Sequence, residues 1–217
     1  MSTKKKFAVV LAGCGVYDGA EIHEAVLTLL AIARNRAEYM IYAPDIQQHH
    51  VINHITGAEM NETRNVLIES ARIARGNIKP LSELDMKNYD ALVFPGGFGV
   101  AKNLCSFALK GTDLSINPQV DNVIKSAQKL GKPIGALCIS PVMLPKILGD
   151  VEVTIGSDPA TAKAIETLGG KHKNTTHGEI VIDKKNKIVT TPCYMLDATI
   201  DQIADGAEKL VKAVLEL

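Results

Sequence analysis

Cys138 is the side chain best placed to do covalent chemistry in this sequence. It lies in the stretch Gly131-Lys-Pro-Ile-Gly-Ala-Leu-Cys-Ile-Ser-Pro-Val-Met-Leu144. Ile134 to Leu137 is an apolar run of the length a fully buried parallel strand needs. Lys132-Pro133 ends the preceding helix, and Pro141 suits the first turn of a new one. A residue wedged between a buried strand and a following helix must turn the backbone sharply. Its side chain then projects at the carboxyl end of the sheet, over the positive end of the helix. A thiol placed there can act as a nucleophile, and the helix end would favour its thiolate. The same position also suits a free cysteine used as a small core hydrophobe, and the stretch alone leaves both readings open. A second chemical feature is Phe94-Pro-Gly-Gly-Phe-Gly99, at the end of the apolar run Asp90 to Phe94. Consecutive glycines at a strand end let a backbone N–H approach a ligand with no Cβ in the way, the geometry of an oxyanion hole.

The other candidates carry less. Cys14, Cys105 and Cys193 are spread along the chain with no C-x-x-C pair and no zinc spacing, as expected of reduced thiols in a cytosolic protein. His49, His50 and His54 have Gln47, Gln48 and Asn53 as neighbours and no close carboxylate or thiol, so they read as a solvated loop; no metal or cofactor is expected. Arg64, Arg72 and Arg75 read as a solvated polar face. Gly13-Cys-Gly-Val-Tyr-Asp-Gly19 departs from both phosphate-binding glycine patterns, and its glycines are assigned to backbone geometry. Twenty-four basic residues balance twenty-four acidic ones, which argues against nucleic acid or an anionic membrane as partner and fits a small, weakly polar ligand. Lys4-Lys-Lys6, an apolar run and Leu11-Ala-Gly-Cys14 imitate a lipoprotein signal, but the run Phe7 to Ala12 has strand length. No other segment approaches the ~20 apolar residues of a membrane span. A cytoplasmic location is expected.

The elements that must position these residues follow from periodicity. Phe7 to Ala12 is predicted as a strand. Ile22, Ala25, Val26, Leu29, Leu30 and Ala33 form the apolar stripe of a helix from Glu21 to about Arg36. Further strands are predicted at Tyr39–Ala43, Asp90–Phe94, Ile134–Leu137 and Val151–Ile155, with a hairpin over Glu179–Thr191. Further helices are predicted from Asn61 to Ala74, from about Ala101, from Asn117 to Leu130, from Asp158 to Leu168 with Asp158 as its cap, and from Thr199 to Leu217. Residues 45–61 read as a surface excursion. Six or seven strands alternating with helices, in 217 residues, predict a single α/β domain over 1–217: a three-layer, doubly wound sandwich with a mostly parallel sheet. Ligands of such sheets bind beyond the carboxyl ends of the strands. The loop from Gly13 to Glu24, the Pro95–Gly99 turn and Cys138 converge there.

With these pieces assembled, the chain resembles the ThiJ/PfpI class of glutamine-amidotransferase-like proteins over essentially its whole length. The resemblance rests on Gly19-Ala-Glu-Ile-His-Glu24, Phe94-Pro-Gly-Gly-Phe-Gly-Val-Ala-Lys-Asn-Leu104 and the Ala136-Leu-Cys-Ile139 elbow. Gly13 to Gly19, the Thr63-Arg-Asn65 region and Thr190-Thr-Pro-Cys-Tyr-Met195 are similar to its enhancing-lycopene-biosynthesis (ElbB) branch. The resemblance implies a flavodoxin-like, amidotransferase-like fold and a homodimer. It implies Cys138 as nucleophile, Gly97 as first oxyanion donor with Gly96 beside it, and the Ile139 N–H as second donor. It also implies Glu24 as the carboxylate partner of the cysteine, with Glu21 one helical turn away as the alternative. Two departures matter. The family's activating histidine directly after the cysteine is replaced by Ile139, and the later histidine of several relatives is replaced by Asp158. His177-Gly-Glu179 comes too soon to stand in for the amidotransferase pair, and His177 is read as a surface residue. Without that base, amide hydrolysis is not expected. Members of the branch are described as glyoxalases of low activity, linked by name to isoprenoid production. The expected activity is therefore conversion of methylglyoxal or glyoxal to lactate or glycolate, independent of glutathione, through a Cys138 hemithioacetal with Glu24 as acid and base. The alternatives are a redox sensor or reactive-carbonyl binder using the same cysteine, and an amidotransferase-like partner subunit without glutaminase activity.

Overall fold

The computed structural model describes residues 4–217. In chain order the strands and helices are β1 Lys6–Val10, α1 Ile22–Arg34, β2 Glu38–Ala43, α2 Val66–Ile73, β3 Ile78–Pro80, β4 Ala91–Phe94, α3 Phe107–Lys110, α4 Pro118–Lys129, β5 Ile134–Leu137, α5 Met143–Leu148, β6 Glu152–Val153, α6 Pro159–Thr167, β7 Lys171–His172, β8 Val181–Asp183, β9 Ile188–Thr191 and α7 Ile200–Glu216. Seven strands form one sheet in the order β3-β2-β1-β4-β5-β9-β8, parallel throughout except for the edge strand β8. Among the described residues no helix is long and apolar enough to cross a membrane.

Both faces of the sheet are covered, which is why β4 and the buried part of β1 from Phe7 on are apolar at successive positions rather than at alternate ones. Along β1 and its extension, Phe7, Val9 and Leu11 pack with Ala25, Leu29 and Ile32 of α1 and with Ile203, Ala207 and Leu210 of α7. Ala8, Val10 and Ala12 face the opposite way, into a core with Val120 and Ile124 of α4 and Met143 and Leu144 of α5. Gly135 of β5 lets α7 approach closely: a Cβ there would lie 2.8 Å from Leu210 Cδ2. The helix starts are set by side chains that satisfy the free amides of the first turn. Asn117 accepts from the Gln119 N–H, Asp158 accepts from Thr161, and Thr199 with Gln202 forms a reciprocal capping box.

Several elements differ from the sequence expectation. The strand expected over Val151–Ile155 shrinks to β6, which pairs with β7 in a separate two-stranded sheet. The Thr154 N–H donates instead to Thr190 Oγ1 at 2.9 Å, and Gly156, at φ +97°, turns the chain away. The helix expected from Asn61 starts at Val66, because Asn65 caps it by accepting from the Ile68 N–H at 3.0 Å. The helix expected near Ala101 opens as a wide π-turn, Val100–Leu104, before the single turn of α3. Arg72 and Arg75 are exposed, as expected of a solvated polar face, and Arg64 and Arg72 in addition reach the buried carboxylate of Glu69, at 3.4 and 2.9 Å. That carboxylate needs compensating charge once it is out of water.

Candidate active site

The site is assembled at the carboxyl edge of the sheet from the ends of β4, β5 and β9 and the first turn of α1. Cys138 leaves β5 in the left-handed conformation, φ +60°. For a residue with a Cβ such a conformation costs on the order of 1–3 kcal/mol and persists only where its surroundings impose it. Here the Cys138 N–H donates to the Thr191 carbonyl at 2.9 Å, continuing the β5–β9 ladder. Two residues on, Ser140 Oγ donates to the Pro95 carbonyl at 2.9 Å, tying the elbow to the turn after β4.

That turn shows why glycine is required twice. A Cβ on Gly96 would collide with Cys138 Cβ and lie 2.6 Å from Glu24 Oε2. Gly97 has φ +103°, and a Cβ there would strike the backbone of residues 19–21. The closeness serves the thiol: the N–H groups of Gly97 and Ile139 both donate to the Cys138 sulfur.

Glu24, on α1, is fully buried. Its Oε2 accepts from the Gly96 N–H at 2.9 Å, its Oε1 accepts from the Tyr194 N–H at 3.2 Å, and its carboxyl is hydrogen-bonded to the Cys138 thiol. Glu21 has a different task. It is the N-cap of α1, accepting from the Glu24 N–H at 2.7 Å, while its own N–H donates to the Gly96 carbonyl at 2.9 Å. Burial, reinforced by the charge of Glu21, pushes the Glu24 carboxyl up to about 8, against the opposing hydrogen bonds from Tyr194, Cys138 and Gly96. At neutral pH the acid is therefore mostly protonated.

The thiol does not have the lowered pKa expected from a helix end. Burial is the main cause that pushes it well above its ordinary value, and a charged Glu24 would add to that; the Gly97 and Ile139 N–H groups oppose the rise without cancelling it. The helix that follows is also displaced, since the 3₁₀ turn Ser140–Val142 separates Cys138 from α5. Because the two groups are coupled, a protonated Glu24 removes its repulsion and offers a proton to the sulfur.

The other expected site residues lie elsewhere. Asp158 is exposed and its carboxylate caps α6, accepting from the Thr161 N–H at 2.7 Å; hydrogen bonds from the Thr161 side chain and N–H hold its pKa below the usual range. His177 is exposed, with Nε2 2.8 Å from the Asp197 carbonyl. His54 pins its loop to the glycine turn, accepting the Tyr17 N–H at 3.2 Å. Among the described residues no three His, Cys, Asp or Glu side chains gather as a metal site.

Two neighbours carry no role in the sequence reading. Tyr194 binds Glu24 through its N–H, and its hydroxyl lies 2.8 Å from His23 Nδ1. Cys193, at the end of β9, is buried and left-handed at φ +45°, close enough to Glu24 and Cys138 for their charges to push its thiol up beyond the effect of burial. The signal that could find both is topological: a strand hydrogen-bonded beside β5 delivers its own carboxyl end to the same place. Above Cys138 opens a cleft of about 260 Å³, walled by Val16, Phe98, Ala101, Phe107, Tyr194 and Met195, with Gly97 and Ile139 beside the sulfur.

Comparison with known proteins agrees with this architecture. No family model matches the chain. The human protein named glutamine amidotransferase-like class 1 domain-containing protein 3, mitochondrial, is 49% identical, the match covering 98% of this chain and 83% of that protein. The crystal structure of an Ehrlichia chaffeensis isoprenoid biosynthesis protein with an amidotransferase-like domain superposes with TM-score 0.92 at 35% identity, covering 98% of each chain. Drosophila melanogaster DJ-1beta shares the fold at TM-score 0.56 and 18% identity, over 99% of this chain and 95% of that one.

Proposed function

Since the chain belongs to the glutamine amidotransferase-like class 1 family within the ThiJ/PfpI superfamily, we propose that it is a glyoxalase that works without glutathione and uses Cys138 as nucleophile and Glu24 as acid and base. The observation that carries this reading is the meeting of one thiol, one buried protonated carboxyl and the Gly97 and Ile139 N–H groups at a single point, with no histidine beside the thiol. Such a set suits addition to an aldehyde, which needs a thiolate and a proton donor but no expulsion of a poor leaving group.

The ionised form of Glu24, accessible at a carboxyl pKa of about 8, takes the Cys138 proton as sulfur adds to the aldehyde carbon of a 2-oxoaldehyde and passes it to the oxyanion, which backbone N–H groups hold, giving the neutral hemithioacetal. The regenerated carboxylate then takes the hydrogen of the former aldehyde carbon as a proton and returns it to the neighbouring carbon through an enediol, while the hydroxyl proton passes from the first oxygen to the second. The result is a 2-hydroxyacyl thioester on Cys138. One water then hydrolyses it, giving lactate from methylglyoxal or glycolate from glyoxal and freeing the thiol.

The isoleucine at 139, where relatives carry an activating histidine, supports a second reading, in which Cys138 captures carbonyls or becomes oxidised and turnover is incidental; the raised thiol pKa counts against its oxidation branch, because it lowers the thiolate fraction. Steady-state kinetics separate the two: a kcat/KM far below ~10⁴ M⁻¹s⁻¹ for every 2-oxoaldehyde tried supports capture over catalysis. The same reading assigns the protein to the cytosol as a homodimer. Its four cysteines are unpaired, which supports a reducing compartment; cell fractionation tests the location and analytical ultracentrifugation the dimer.

A further inference from the structure

The cleft over Cys138 is larger and more apolar than methylglyoxal requires. Its volume is about 260 Å³. Methylglyoxal has five heavy atoms, and at no more than the ~30 Å³ that a water molecule occupies in the liquid, each of these would leave almost half of the space unfilled. The walls are unusual in what they lack. Among the described residues no charged side chain lines the cleft, and Thr161 and Tyr194 are its only polar side chains apart from the thiol. A ligand carrying a carboxylate or an ammonium, such as glutamine or a 2-oxo acid, would give up its hydration there without a counter-charge.

The apolar walls are also fixed in place. The Phe98 N–H donates to the Val16 carbonyl at 2.8 Å, joining the two residues of one wall. Phe98 nonetheless leaves 49% of its surface in water, so a ligand that covers it removes apolar area from solvent. Lys102 does not line the cleft; it lies 5.5 Å from the Phe98 ring and donates to the Tyr17 carbonyl at 2.8 Å. The direction of the ligand follows: Cys138, Gly97 and Ile139 take the reacting aldehyde, and Phe98, Ala101, Phe107 and Ala108 receive whatever is attached to it.

Building on the carbonyl-addition reading above, we infer that the preferred substrates are 2-oxoaldehydes with an apolar substituent of phenyl or medium alkyl size, in place of methylglyoxal or glyoxal. Each methylene that becomes buried contributes about fourfold to binding. Two or three such groups give phenylglyoxal and hexylglyoxal an advantage of about 10- to 100-fold in kcat/KM over methylglyoxal.

The test is kcat/KM for glyoxal, methylglyoxal, propylglyoxal, hexylglyoxal and phenylglyoxal, each corrected for its reactivity toward a free thiol. It is run beside protection of Cys138 from alkylation by the same compounds, scored by mass spectrometry. The inference expects both readouts to rise with the apolar substituent and the gradient to flatten in Ala108→Trp, which fills the exposed end of the cleft. Methylglyoxal equalling or exceeding phenylglyoxal and hexylglyoxal in the wild-type protein would overturn it. Protection that rises with substituent size while no compound is turned over would sink the glyoxalase reading and leave the ligand class standing; turnover without a gradient would do the reverse.

Discussion

Cys138 and Cys193 sit at the ends of neighbouring parallel strands, and by most local measures they are alike. Both are buried, both have positive φ, and both have thiols pushed up chiefly by burial. Their surroundings differ. Cys138 receives N–H groups from Gly97 and Ile139, shares a hydrogen bond with Glu24, and opens on the cleft; the partner of Cys193 is Thr191, on its own strand. Strain and burial are common to both thiols, so the nucleophilic role proposed for Cys138 rests on the donors placed around it and on the cleft.

The comparison breaks most visibly under substitution of each cysteine. Cys138→Ala is expected to lose turnover by at least ~10³-fold, while Cys193→Ala stays within a few-fold of wild type, measured as 2-hydroxy acid formed. Equal losses would place the chemistry in the pair. Next in size, Glu24→Gln should lower kcat about 10²-fold, since it keeps the shape and removes the transferable proton.

A smaller effect comes from proton linkage. The Glu24 carboxyl rises from 4.5 to about 8 on folding, so between those values the native state binds more protons than the unfolded one. Its contribution to stability is complete below about 4.5 and is lost as pH rises through about 8. Melting temperatures from pH 5 to 9 should fall more steeply for wild type than for Glu24→Gln; parallel curves would mean Glu24 is ionised in the native state. Last, Asp158→Ala should cost about 1 kcal/mol through the lost α6 cap and leave kcat/KM unchanged, as urea denaturation and kinetics would show. A large drop in kcat would restore Asp158 to the site.

What was legible in the sequence tracks what local physics can encode. Phe7–Ala12 and Ile134–Leu137 are apolar at every position because both faces of a parallel sheet are covered, and that pattern needs no knowledge of the partners. The caps at Asn117, Asp158 and Thr199 are equally local. β3, β6 and β7 have two or three residues each, too few to show any period. The height of the thiol pKa was hidden for another reason. Its burial and its carboxylate partner come from remote segments, and the Tyr194 N–H that fixes Glu24 lies 170 residues away along the chain. Glu24 could be told from Glu21 by resemblance alone; the fold adds the physical cause, since Glu21 is committed to the helix cap.

The most direct test of the Cys138–Glu24 assignment is product formation under saturating 2-oxoaldehyde, with lactate measured from methylglyoxal and mandelate from phenylglyoxal, for wild type and Cys138→Ala side by side. Turnover by the wild type and none by Cys138→Ala is the predicted result. Undiminished hydroxy-acid formation by Cys138→Ala would contradict it.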